Sequence, residues 1–162
     1  MICPILVGCF FHTFKHTHSH TKVTEFLASG INIDCQDHSG ATAIQVAAEN
    51  GHTEIVELLI ERGANINASD SNMVSPFLAC CRKGLVSCVR LLVDKGADKE
   101  LLDKNGRGGL FYSVLSENTS LVALMLAWNP MNRNITETFW GWTPLHLAAN
   151  KVEIILYTRI LR

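Results

Sequence analysis

Gly51-His-Thr-Glu-Ile-Val-Glu-Leu-Leu-Ile-Glu-Arg-Gly-Ala-Asn-Ile-Asn-Ala68 is the stretch that decides how this chain folds. Leu58 and Leu59 supply the apolar face of a helix, and Gly63 follows where a helix end favours a residue able to adopt positive φ. The same pattern recurs at an offset of 33 residues, which places Gly30, Gly63 and Gly96 in one column and Asp37, Asp70 and Asp103 in another. Ile55-Val56 and Leu58-Leu59 register with Cys88-Val89 and Leu91-Leu92, then with Leu121-Val122 and Leu124-Met125. Val23, Phe26 and Leu27 fall in the same frame as an incomplete first copy. Gly40 and Gly106 each stand three residues after the Asp of their copy. Thr42, Ser75 and Thr143 are suited to cap orphan N–H groups, and Pro76 and Pro144 fit the first helical position, where a missing N–H costs nothing. Each copy therefore predicts a turn opened by Asp followed by two helices of about 8–10 residues.

Thr143-Pro-Leu-His-Leu-Ala-Ala149, together with the Gly51–Ala68 stretch, resembles the ankyrin repeat, whose signature is Thr-Pro-Leu-His-x-Ala. The resemblance extends over roughly residues 22 to 150 and implies an all-α helical solenoid of about four to five helix-turn-helix repeats with projecting turns. The chain then divides into an apolar, His-rich N-terminal segment (1–21) expected to be poorly ordered, a partial repeat (22–36), two full repeats (37–69 and 70–102), a degenerate repeat (103–137) and an incomplete last one (138–162). The signature is eroded to Thr42-Ala-Ile-Gln45, Ser75-Pro-Phe-Leu78 and Gly108-Gly-Leu-Phe111. The degenerate copy reads as the weakest, with two glycines at a helix start and Asn129-Pro130 in place of Gly-Ala. Gly141 lies 35 residues after Gly106, so two residues are inserted near Asn132 to Thr138. Apolar ends, Ile2 to Phe11 and Ile154 to Tyr157, are unlike the polar caps of a closed stack and suggest a piece of a longer array.

The 162 residues are 48% hydrophobic and 18% charged, with 14 Lys+Arg against 15 Asp+Glu. That balance argues against a disordered chain and a strongly basic nucleic-acid binder, so no nucleic-acid partner is expected. The run from Ile2 to Phe11 is too short to span a bilayer and contains Pro4, so no membrane insertion is expected. It resembles the apolar part of a signal peptide, but no Lys or Arg precedes it, and the sequons at Asn118 and Asn134 would matter only after secretion. The cysteines at 3, 9, 35, 80, 81 and 88 form no CxxC pair and read as small buried residues of a reducing compartment, the cytoplasm and also the nucleus.

A stack of short helices offers no deep cleft for a nucleophile and base, so no catalytic residue and no cofactor are expected. His52 and His146 read as structural, and Gly106 to Gly109 as a turn rather than a phosphate loop. His12, His16, His18 and His20 are the weak metal candidates, against a plain polar tail. The resemblance implies a scaffold that binds partner proteins through turn tips and the concave helical face. The tip positions are His38, Ser39 and Ala41; Ser71, Asn72 and Val74; Lys104, Asn105 and Arg107; and Phe139, Trp140 and Trp142. The helix positions flanking the same groove are Glu49, Asn50, Arg82, Lys83, Leu115, Ser116, Asn150 and Lys151. Phe139, Trp140 and Trp142 serve either as partner anchors or as core. Asn67, eight residues after Leu59, is similar to the position modified by the asparaginyl hydroxylase that acts on ankyrin proteins; alternatively it simply closes its turn. Residues 34–61 hold six acids and no Lys or Arg, whereas residues 82–107 hold seven bases and four acids, a dipolar arrangement suited to orienting a partner. The alternatives to a stand-alone scaffold are the ankyrin segment of a larger channel, kinase or ubiquitin-ligase adaptor, and a secreted effector. The register assigns Leu58, Leu59, Leu91 and Leu92 to the packed face, so Leu91→Ala is expected to cost about 2–5 kcal/mol.

Overall fold

The computed structural model describes residues 20–128 and 141–150. Eight helices run through these residues: α1 (His20–Ala28), α2 (Ala43–Glu49), α3 (Thr53–Glu61), α4 (Pro76–Lys83), α5 (Val86–Asp94), α6 (Gly109–Leu115), α7 (Thr119–Trp128) and α8 (Pro144–Asn150). Among the described residues the only β pairing is an isolated antiparallel bridge between Gln36 and Thr42. The helices form three pairs, α2–α3, α4–α5 and α6–α7, with α1 as the second helix of the partial copy and α8 as the first helix of the last. The first helices α2, α4, α6 and α8 pack in sequence on one another, while α1, α3 and α5 pack as a second row.

Small side chains explain how the first row closes up. Ala43, Ala47 and Ala48 of α2 and Ala79, Cys80 and Cys81 of α4 are all buried, which lets neighbouring backbones approach. The larger buried side chains Phe77, Ile44, Ile55, Leu59, Leu78, Leu92 and Leu121 fill the space between the rows. Val23 of α1 is fully buried against the same core, with Phe26 and Leu27 beside it.

Two of the three expected helix caps form. Ser75 accepts the Leu78 N–H at 3.3 Å ahead of Pro76, and Thr143 accepts the His146 N–H at 3.3 Å ahead of Pro144. The third does not: α2 starts without a side-chain cap, and the Thr42 hydroxyl is buried with no hydrogen bond.

The copy read as weakest keeps both of its helices, and the reason lies at Gly109. A Cβ there would come within 2.7 Å of the Phe77 ring and 3.2 Å of Met125 Sδ, so glycine at this helix start makes room for a large ring from the preceding repeat. The loss of intrinsic helix propensity is offset by close packing. His20 and Thr21, assigned from the sequence to the N-terminal segment, open α1, while residues 1–19 lie outside the described residues.

The register holds with one correction. Leu58, Leu59 and Leu92 are buried, but Leu91 is only half-buried because it lies at the margin of the α5 face. Leu92→Ala is expected to cost about 2–5 kcal/mol and Leu91→Ala clearly less. Gly109→Ala is expected to cost about 1–3 kcal/mol through the clash with Phe77. Denaturant unfolding of the three variants checks that order, and a Leu91→Ala loss equal to that of Leu92→Ala rejects it.

Candidate functional site

Three projecting turns among the described residues are each built by one aspartate. Asp37 Oδ1 accepts the N–H groups of Ser39 at 2.8 Å and Ala41 at 3.0 Å. Asp70 Oδ1 accepts those of Asn72 at 2.8 Å and Val74 at 2.9 Å, and Asp103 Oδ1 those of Asn105 and Arg107, both at 2.8 Å. The second carboxylate oxygen ties the turn to a first helix where it can. Asp70 Oδ2 accepts from Gln45 Nε2 at 3.1 Å, reaching back to α2, and Asp103 Oδ2 accepts from Tyr112 Oη at 2.7 Å on α6.

Neighbouring turns are also joined through their backbones. Ser71 N–H donates to the Ser39 carbonyl at 3.1 Å, and Lys104 N–H to the Asn72 carbonyl at 3.0 Å. On the other side of each repeat Asp34 Oδ1 accepts the Asn65 N–H, and Asn67 Oδ1 accepts the Asp98 N–H, both at 2.9 Å. Asn67 thus closes its loop onto the next repeat, the structural role that its position allowed.

The turns expose a row of side chains. His38, Ser39, Ser71, Asn72 and Lys104 are exposed, and Asn105 and Arg107 are half-buried. Ala41 and Val74, assigned to the tips from the sequence, are instead buried, 8% and 2% exposed. The physical reason is that their N–H groups complete the Asp-centred turn, which returns the chain to the core. Arg107 lies over the Phe111 ring at 5.4 Å.

At the ends of the first helices, Glu49 pairs with Arg82 at 2.9 Å and Lys83 at 3.6 Å. Glu57 pairs with Lys95 at 2.8 Å. Acids of one repeat therefore meet bases of the next, and part of the charge asymmetry read from the sequence is neutralised inside the stack. Water and salt screen such solvent-accessible pairs, so they add little to stability. Asn50 is exposed and donates to the Val46 carbonyl, Leu115 is exposed, and Ser116 donates to the Ser113 carbonyl. Trp142 is half-buried against the core. Asn150 ends α8, while Phe139, Trp140 and Lys151 lie outside the described residues.

Of the candidate metal ligands, His12, His16 and His18 lie outside the described residues and His20 begins α1. Among the described residues no group of three or more His, Cys, Asp and Glu is arranged to hold a metal ion. His146 Nδ1 accepts the Thr143 N–H at 3.1 Å and lies 2.8 Å from Thr143 Oγ1, which fixes the start of α8. Burial pushes the Cys81 thiol up and keeps it protonated. Cys80 donates to the Ala48 carbonyl at 3.3 Å, a packing role.

Sequence reasoning missed Met73, Gln45 and Tyr112. Met73 was detectable, because it stands three residues after Asp70 where Gly40 and Gly106 follow the other aspartates. Gln45 and Tyr112 carry no such signal, since Gln45 depends on where the next repeat's turn falls and Tyr112 on how its own turn folds back onto α6.

A family model described as ankyrin repeats (three copies) matches residues 12–103 and again residues 77–158. No curated protein matches the chain.

The Tyr112 phenol is raised by burial and by its bond to the buried Asp103. Tyr112→Phe is expected to cost about 1.5–3 kcal/mol, as for a hydrogen bond to a charged group, with the helix content retained. A denaturation midpoint equal to that of the parent protein rejects the role. At Asp37 burial by itself raises the carboxyl, but the Ser39 hydroxyl and the Ser39 and Ala41 N–H groups outweigh it and hold the group below its ordinary 3.8. A depressed carboxylate stabilises fully above its unfolded value and loses that contribution as pH falls through the folded value. The melting temperature is therefore expected to drop below pH 3.8 more steeply in the parent than in Asp37→Asn. Superimposable acid profiles reject it.

Proposed function

The chain belongs to the ankyrin-repeat family, and on that premise we propose that it is a non-catalytic scaffold or adaptor that captures partner proteins along its turn tips and the adjoining ends of its first helices. Ankyrin repeats generally mediate protein–protein interaction and are typically non-catalytic. The observation that carries the finer reading is the ladder of turns. Its aspartates and inter-turn hydrogen bonds occupy the backbone polar groups, leaving His38, Ser39, Ser71, Asn72 and Lys104 outward on a fixed frame. A preorganised surface binds without a large ordering penalty, because the turn backbones that carry its side chains are already held in place. Leu115, Glu49, Asn50, Arg82 and Lys83 extend the same surface along the helix ends, and Trp142 adjoins it in the last copy.

A reducing compartment, cytoplasm or nucleus, is supported by Cys80, Cys81 and Cys88, which are buried free thiols with Cys35 half-buried. Among the described residues no helix is long and apolar enough to cross a membrane. Hydroxylation of Asn67 requires its bond to the Asp98 N–H to open. We expect a mass gain of one oxygen on the Asn67 peptide to rise with mild denaturant, and no gain under any condition rejects the modification.

Affinity capture from the native cell with mass spectrometry tests the scaffold reading. Proteins retained by the parent chain are expected to be lost, by about tenfold or more, on a Ser71→Arg/Lys104→Glu variant whose circular dichroism and unfolding midpoint are unchanged. Retention equal to that of the parent overturns the tip surface.

A further inference from the structure

The turn at Asp70 differs from its neighbours in one backbone position. Gly40 and Gly106 occupy the equivalent place at φ 79° and 74°, where glycine suffers no Cβ penalty. Met73 holds φ 60° there with a full side chain, a conformation that L-residues other than Asn and Asp rarely adopt. The remaining non-glycine residue of positive φ among the described residues, Glu117, lies in the link between α6 and α7. Met73 is also 52% exposed, the most exposed of the large apolar side chains described, and it takes no part in the core. Backbone strain therefore falls on an exposed side chain outside the core, and strain of this kind clusters where a side chain is positioned for a ligand.

The surroundings define what that ligand carries. The Lys104 N–H donates to the carbonyl of Asn72, which places Lys104 directly beside the Asn72–Met73 edge. Lys104 is exposed and enters none of the ion pairs among the described residues, unlike Arg82, Lys83 and Lys95. Polar Ser71 and Asn72 flank the thioether on its own turn. A flexible thioether adapts to apolar side chains of varied shape, and an exposed lysine on the adjoining turn, joined to it through the backbone and outside the ion pairs, favours a carboxylate.

Resting on the protein-binding reading above, we propose that Met73 and Lys104 form the specificity-setting part of the tip surface. They seat an extended acidic segment of a partner protein, with a large apolar residue against Met73 and a nearby Asp or Glu against Lys104. The Met73 side chain supplies contact area and Lys104 supplies charge and register. The strained backbone is retained because glycine at this position offers no contact.

Selection of a phage-displayed library of random linear peptides on the whole chain tests this. Enriched peptides are expected to combine a large apolar residue with Asp or Glu a few positions away. A synthesised peptide from that pool, followed by fluorescence polarisation, should bind Met73→Gly about tenfold or more weakly and Met73→Leu within about threefold. Its affinity for the parent should fall with added salt, and Lys104→Glu should abolish that salt dependence. Met73→Gly should unfold at the same or a higher temperature than the parent, separating lost contact from lost fold. Enriched peptides without acidic residues, or equal binding to Met73→Gly, overturn the assignment. If such peptides still lose binding to Ser71→Arg, the broader tip surface stands. Peptides insensitive to every tip variant, or no enriched peptide at all, overturn both.

Discussion

A single carboxylate oxygen accepting two backbone N–H groups of its own turn is the contact that the rest of this molecule depends on. It appears at Asp37, Asp70 and Asp103 with nearly the same distances, and charge-assisted bonds of this kind are about twice as strong as neutral ones. By fixing the turn it fixes where the next first helix begins, and therefore which small residues face the preceding helix. It also brings consecutive turns to hydrogen-bonding distance, so that the tips form one surface rather than separate loops.

The second constraint is nearest-neighbour packing. The first helices close onto one another through alanines and cysteines, and where one repeat brings a large ring, Phe77, the next answers with Gly109. Stability in such a stack is a sum of repeat and interface contributions, so a local irregularity is absorbed by its immediate neighbour. The charge pairs Glu49–Arg82 and Glu57–Lys95 follow the same rule, each joining one repeat to the next. The groups that the stack leaves exposed are chiefly the tip side chains, with Met73 and Lys104 among them.

The 33-residue recurrence was enough to assign the all-α repeat architecture, the aspartate turns and most of the buried face, because periodicity in a solenoid maps directly onto contacts with the adjoining repeat. Ser75 and Thr143 were identified as caps by the same local logic, which depends on only a few consecutive residues. The surface was less legible. Ala41 and Val74 looked like tip residues by position, yet their N–H groups serve the turn and their side chains return to the core. Two glycines looked like a helix defect until the Phe77 ring appeared against Gly109.

Sequence by itself therefore determined the repeat unit, its length and the placement of its helices, since these follow from local hydrogen bonding and from the spacing of apolar side chains. Tertiary structure alone decided which charges are paired, that Tyr112 and Gln45 anchor turns, and that Met73 is held out strained and uncovered. Those outcomes depend on groups 9, 25 or 33 residues apart or on the space around a residue, and the distances between side chains exist only once the chain is folded and stacked.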